Sequence, residues 1–227
     1  MSSPSSSSEQ RLAQALAERD AELERLRARL QELDDEPTYQ EAEAMGVVEL
    51  VRKSRLPDRQ QRRLSVAIVR EARANGLDPL LVLAVIRCES GFDSFAVSPV
   101  GAMGLMQLMP DTGDWLLTRR GLELRKRTNL FDVELNVEIG AAYLSELIRE
   151  FGTIERALVA YNAGPGAAGR ILAKAASRKK FMSGYPAKVM AQYRSLQAQY
   201  EEDRTRRLMA QAMLPGSTPV SAIRMAR

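Results

Sequence analysis

The chain has 227 residues, 45% of them hydrophobic and 27% charged, which at roughly 150 residues per domain is one domain plus extensions. It contains no histidine and a single cysteine, Cys88. That excludes Ser/His/Asp and Cys/His nucleophile systems, the common His- or Cys-ligated zinc sites and an internal disulfide. Any catalysis rests on carboxylates, amides, hydroxyls or lysine.

Charge is divided unevenly, with net −6 over residues 1–44 and +10 over the remainder. The basic part fits an anionic partner, whether nucleic acid, an anionic membrane surface or an acidic wall polymer. The longest apolar run, residues 80–86, is far shorter than the roughly 18 residues a membrane span needs. The N-terminal MSSPSSSSEQ carries neither the basic nor the apolar region of a secretory signal.

Residues 2–8 hold six serines and a proline, a composition that predicts disorder over residues 1–8. From Leu12, the positions Leu12, Leu16, Arg19, Leu23, Leu26, Leu30 and Leu33 recur in steps of four and three. This is the period of a coiled-coil seam and defines an arm over residues 9–44, closed by Asp34-Asp35-Glu36-Pro37. Self-association, a protein partner and a solvated single helix all fit so short a stripe.

The domain proper is predicted over residues 45–208. Residues 47–75 read as helical, with Asn75-Gly76 as the stop. Asp78-Pro79 then offers an N-cap and a first-turn proline for a helix that is apolar nearly all round. Its last turn carries Glu89, where desolvation raises a carboxyl pKa. Residues 91–110 read as a loop in which Gly101 and Gly104 allow close backbone approach. Asp111 or Thr112 is the expected cap of a short helix containing Trp115. Helices follow over 133–151, stopped by Gly152, and over 153–162, broken by Ala163-Gly-Pro-Gly166. A last long helix is expected over about 186–208, and a loose tail over 209–227.

Three segments stand in order between these helices: ESGFDSFAVS (89–98), GAMGLMQLMP (101–110) and AYNAGPG (160–166). Together they resemble the lytic transglycosylases with a goose-type lysozyme-like catalytic domain, over roughly residues 60–195. The resemblance implies a mainly α-helical, lysozyme-like fold and cleavage of peptidoglycan glycan strands. It also implies an extracytoplasmic, for instance periplasmic, location, and needs neither cofactor nor metal. Independently, glycoside cleavage needs a proton on the leaving oxygen from a carboxyl held partly neutral, and Glu89 fits that demand.

By the resemblance, Glu89 protonates the bond between N-acetylmuramic acid and N-acetylglucosamine, then as carboxylate takes a proton from the muramoyl C6 hydroxyl, which closes on C1. Ser90 follows the acid, Ser98 lies near the sugar substituents, and Gln107 and Met109 line the groove. Tyr161 hydrogen-bonds near Glu89 or the reacting sugar, and Asn162 supports that loop. Tyr185 matches a tyrosine near the start of the last family helix, although Pro186 follows it and Phe181 stands where an acidic residue is common.

Simpler roles are assigned elsewhere: an Asx turn for Asp93, core filling for Met103 and Met106, and a small buried filler for Cys88. Two other readings of the same fold stay open, a muramidase in which water replaces the C6 hydroxyl and a non-catalytic glycan-binding wall scaffold. A nucleic-acid binder is disfavoured by the scarcity of aromatics and the lack of a motif.

Overall fold

The most apolar segment of the sequence becomes the central helix of the body. In this computed structural model, which describes residues 5–124 and 126–212, that helix is α5 (Pro79–Glu89). Residues 80–86 are all buried along it, each large side chain stabilising the fold by roughly 1.5–3 kcal/mol. Asp78 starts the helix as predicted, accepting from the Leu80 N–H at 2.8 Å, with Pro79 in the first turn.

Eleven α-helices and one 3-10 helix make up the described residues, without a strand. Before α5 come α1 (Ser5–Asp34), α2 (Glu36–Ala44), α3 (Val47–Arg52) and α4 (Asp58–Ala74). After it come α6 (Pro110–Thr118), the 3-10 helix Arg127–Phe131, α7 (Val133–Phe151) and α8 (Ile154–Ala163). The chain continues with α9 (Pro165–Ala173), α10 (Ala175–Met182) and α11 (Tyr185–Ala212). Helices α3, α4 and α11 pack on α5, and α7 lies between α4 and α8. One core joins α3, α4, α5, α7, α8 and α11, with smaller clusters under α9 and between α6 and α7.

Start and stop signals work where the cap lies next to the helix in sequence. Asp132 accepts from the N–H groups of Glu134 and Leu135 at 3.1 and 3.0 Å, and Gly152 ends α7 with φ +83°. Thr153 caps α8 through the Arg156 N–H.

Several boundaries differ from the sequence reading. The serine-rich start is helical from Ser5 onward, because α1 extends through it. Residues 36–44, expected in the arm, form α2, which packs on α4 and buries Ala42. The helix expected over 47–75 is split, since Pro57 lacks the N–H to continue one. Neither Asp111 nor Thr112 caps α6. Met109 is its N-cap residue and Pro110 opens it.

Helices α9 and α10 were not anticipated, and Pro165, read only as a breaker, opens α9 at its first position. Helix α11 starts at Tyr185 and runs to Ala212, so part of the expected tail is helical. The remainder of that tail, residues 213–227, lies outside the described residues.

Candidate functional site

Glu89 is the last residue of α5, half-buried at the edge of the main core. Burial pushes its carboxyl pKa up, opposed by a hydrogen bond from Tyr185 and by the charge of Lys188. The Tyr185 hydroxyl donates to Glu89 Oε1 at 2.5 Å. Tyr185 opens α11 and Lys188 lies one turn on along the same face, its ammonium donating to the Cys88 carbonyl at 3.5 Å beside the acid. Pro186 is buried in the first turn, where its missing N–H costs nothing. The departures noted in the sequence therefore leave the tyrosine on the acid. Tyr185 has its phenol pKa raised by burial and by Glu89, so it remains a donor.

The chain leaving Glu89 is a sequence of tight turns. Ser90 ends α5: its hydroxyl donates to the Ile86 carbonyl at 3.2 Å and accepts from the Phe92 N–H at 3.2 Å. Phe92 has φ +73°, a strained position for a large side chain. Asp93 forms the expected Asx turn, accepting from the Phe95 N–H at 2.9 Å.

Residues 96–108 then fold into a stitched loop. Ser98 pairs with Ala102 twice, its carboxy-terminal partner donating to Ser98 Oγ at 3.0 Å and accepting from the Ser98 N–H at 2.9 Å. Gln107, at φ +50°, donates from Nε2 to the carbonyls of Ala96 and Gly104 at 3.1 and 2.9 Å. Those two bonds offset its unfavourable backbone. Ser98 and Gln107 thus have structural work in the loop that carries them, and Met109 is exposed beside it.

The loop is pinned to the body at Met106. Its N–H donates to Asn136 Oδ1 at 2.7 Å, and its carbonyl accepts from the Tyr161 hydroxyl at 2.8 Å. Asn136 also donates from Nδ2 to the carbonyls of Met103 and Leu130 at 3.1 and 2.8 Å. Gly104 is required here: with φ +77°, an added Cβ would overlap Leu130 O and Asn136 Nδ2. Gly101, by contrast, approaches nothing closely and serves only its left-handed φ of +89°.

Tyr161, expected to hydrogen-bond near Glu89 or the sugar, lies close enough to Glu89 to feel its charge and donates its hydroxyl proton to the Met106 carbonyl of the loop. Its phenol pKa is pushed well up, first by burial and then by the nearby Glu89 charge. Asn162 is exposed at the end of α8. Met106 is fully buried, as read, while Met103 and Cys88 are only partly so. The Cys88 thiol has its pKa raised by burial, which disfavours the thiolate.

Sequence reasoning missed two residues. Asn136 is wholly buried on α7, and a polar amide among Val133, Val137 and Ile139 was the available signal. Lys188 had no signal apart from its spacing to Tyr185. Among the described residues, no group of three or more His, Cys, Asp or Glu side chains is placed to hold a metal.

Comparisons with known proteins place the chain among transglycosylases. The transglycosylase of Enterobacteria phage PRD1 is 43% identical over 88 residues, covering 39% of this chain and 30% of the relative. A soluble lytic murein transglycosylase of Salmonella typhimurium is 35% identical over 111 residues, covering 48% and 17%. The membrane-bound lytic murein transglycosylase C of Edwardsiella ictaluri is 36% identical over 112 residues, covering 45% and 31%. The chain therefore spans less than a third of the length of each of these relatives.

Among solved structures, an inactive glutamate-to-glutamine variant of the lytic transglycosylase Slt of Pseudomonas aeruginosa superposes with a TM-score of 0.54 at 31% identity, covering 60% of this chain and 24% of that one. The fold is the lysozyme-like helical one that the three motifs imply. The model of the transglycosylase SLT domain matches residues 67–183, from within α4 to just short of Tyr185. With its acid, its pinned loop and more than half its length inside that match, the chain belongs to the transglycosylase SLT domain family.

Proposed function

We propose that the protein is a lytic transglycosylase acting on the glycan strands of peptidoglycan, outside the cytoplasm where that polymer lies. The observation that carries the reading is Glu89, a carboxyl raised in pKa by burial yet hydrogen-bonded by Tyr185 at 2.5 Å, at the end of the most buried helix. Burial favours the protonated form that a general acid needs, and the tyrosine fixes the carboxyl's orientation. The names of the murein-cleaving relatives support the substrate class, and the inactive glutamate-to-glutamine neighbour supports a carboxyl-dependent reaction.

In this mechanism Glu89 gives its proton to the oxygen between N-acetylmuramic acid and N-acetylglucosamine as the C1–O bond breaks. The Glu89 carboxylate then accepts the proton of the muramoyl C6 hydroxyl, whose oxygen bonds to C1. A 1,6-anhydromuramoyl end forms, Glu89 is protonated again, and no water is consumed. Ser90, Ser98, Gln107, Met109, Tyr161, Asn162 and Tyr185 make the surroundings of the strand. The hydrogen bonds of Ser98, Gln107 and Tyr161 support a role in fixing the loop that faces it.

The test is mass spectrometry of muropeptides released from purified sacculi. Anhydro ends from the wild type, with a loss of about 10²–10⁴-fold in Glu89→Gln, support the proposal. Products heavier by one water identify a muramidase, and binding without clearing of the walls identifies a scaffold.

A further inference from the structure

Helix α1 projects six leucines, Leu12, Leu16, Leu23, Leu26, Leu30 and Leu33, that are 48–63% exposed. At about 1.5 Å per residue the helix is roughly 45 Å long. Where it approaches the body, it does so with its other side. Glu24, Arg27, Ala28 and Gln31 of α1 face Arg59 and Arg63 of α4 across a cleft, and Arg62 donates to the Glu32 carbonyl at 3.4 Å and to Glu36 at 2.7 Å. The body therefore takes the polar side of the arm and leaves the leucine side turned outward.

In heptad terms Leu16, Leu23 and Leu30 occupy a, and Leu12, Arg19, Leu26 and Leu33 occupy d. The flanking e positions are Ala13, Asp20, Arg27 and Asp34, and the g positions are Ala15, Glu22 and Arg29. In a parallel, in-register pair, each g residue meets the e residue five positions later in the partner helix. Glu22 then meets Arg27, and Arg29 meets Asp34, both of opposite sign and each formed twice by symmetry. The remaining pair, Ala15 with Asp20, is not repulsive.

We propose that the leucine face of α1 is the seam of a parallel two-stranded coiled coil with a second copy of this chain, holding two catalytic domains side by side. The occupant is a second copy because its own flanks supply the complementary charges in the register that aligns the leucines. Arg19 at d interrupts the seam and makes the association reversible and concentration-dependent, since two such cations meet across a parallel pair.

Sedimentation equilibrium of the full chain from 1 to about 300 μM tests this. The expected result is a mass rising from 25.2 kDa towards twice that value. Leu23→Glu/Leu30→Glu should weaken association by at least about 100-fold, and Arg19→Leu should tighten it by about 10-fold or more. Glu22→Arg should weaken the dimer, and Glu22→Arg/Arg27→Glu should restore it. A Leu12→Cys chain in a Cys88→Ser background should oxidise to a disulfide-linked dimer, which only the parallel arrangement brings together. Thermal unfolding of the body should be unchanged in all seam variants, since α1 contributes nothing to the main core. A mass of one chain at every concentration overturns the proposal, as does a dimer indifferent to the leucine pair or one that fails to cross-link at position 12.

Discussion

The Tyr185 hydroxyl donates to Glu89 at 2.5 Å, and further along the same helix the Tyr193 hydroxyl donates to Asp78 at 2.6 Å. Asp78 caps the start of α5 and Glu89 is its last residue. Helix α11 therefore runs antiparallel to α5 and is fastened to it at both ends. The clamp at Asp78 helps to hold in place the tyrosine that meets the acid.

Replacing that tyrosine gives the most direct readout. The Tyr185 hydrogen bond lowers the Glu89 pKa against the upward push of burial. In Tyr185→Phe the carboxyl stays protonated to higher pH, so the alkaline limb of kcat/KM moves upward while activity at the optimum falls about 10- to 100-fold. A pH profile of muropeptide release checks this. A limb that stays put, or moves down, removes the tyrosine from control of the acid.

Glu89 also sets a stability cost. Its folded pKa is raised above the unfolded value, so its contribution is most favourable below the unfolded carboxyl pKa and is lost as pH rises through the folded one. Glu89→Gln should accordingly melt higher than the wild type at pH 7, with the gain vanishing by about pH 4. Calorimetry at both pH values is the measurement, and a pH-independent difference contradicts the assignment.

Asn136→Ala removes three hydrogen bonds to buried loop backbone, at the Met106 N–H and the carbonyls of Met103 and Leu130. With each orphaned group costing about 1–3 kcal/mol, the expected loss is about 3–5 kcal/mol. Activity should fall with it because the motif loop loses its anchor. Urea unfolding measures the loss, and a value below about 1 kcal/mol shows that the amide is dispensable.

Gly140→Ala tests packing under the same loop. Alanine ordinarily gains up to about 1 kcal/mol over glycine inside a helix. Here the added Cβ would overlap Met106 Sδ and lie 2.9 Å from Met106 Cβ. We expect destabilisation by about 1–3 kcal/mol, partly relieved in Gly140→Ala/Met106→Ala. A stabilised single variant in thermal melts would show that Met106 moves aside freely.

Much of the body was legible because its signals are local. Asp78-Pro79, Asp132, Thr153 and Gly152 act on helices adjacent to them in sequence, and the apolar run of α5 announces its own burial. The three motifs sufficed to suggest the acid and the family. Less legible were the break at Pro57, the attachment of α2 to the body, and α9 and α10, whose short helices depend on neighbours for their stability.

The sequence by itself determined that the protein is helical, that histidine-dependent nucleophiles and the common His- or Cys-ligated zinc sites are excluded, and that Glu89 ends its most apolar helix. Only the tertiary structure decided that Tyr185 holds Glu89, that Tyr161 is committed to Met106, and that Asn136 anchors the motif loop. It also decided which side of α1 faces outward. Helix periodicity and capping are set within a few residues, whereas each of those contacts joins positions far apart in the chain, where only the packing of whole helices fixes which polar groups meet.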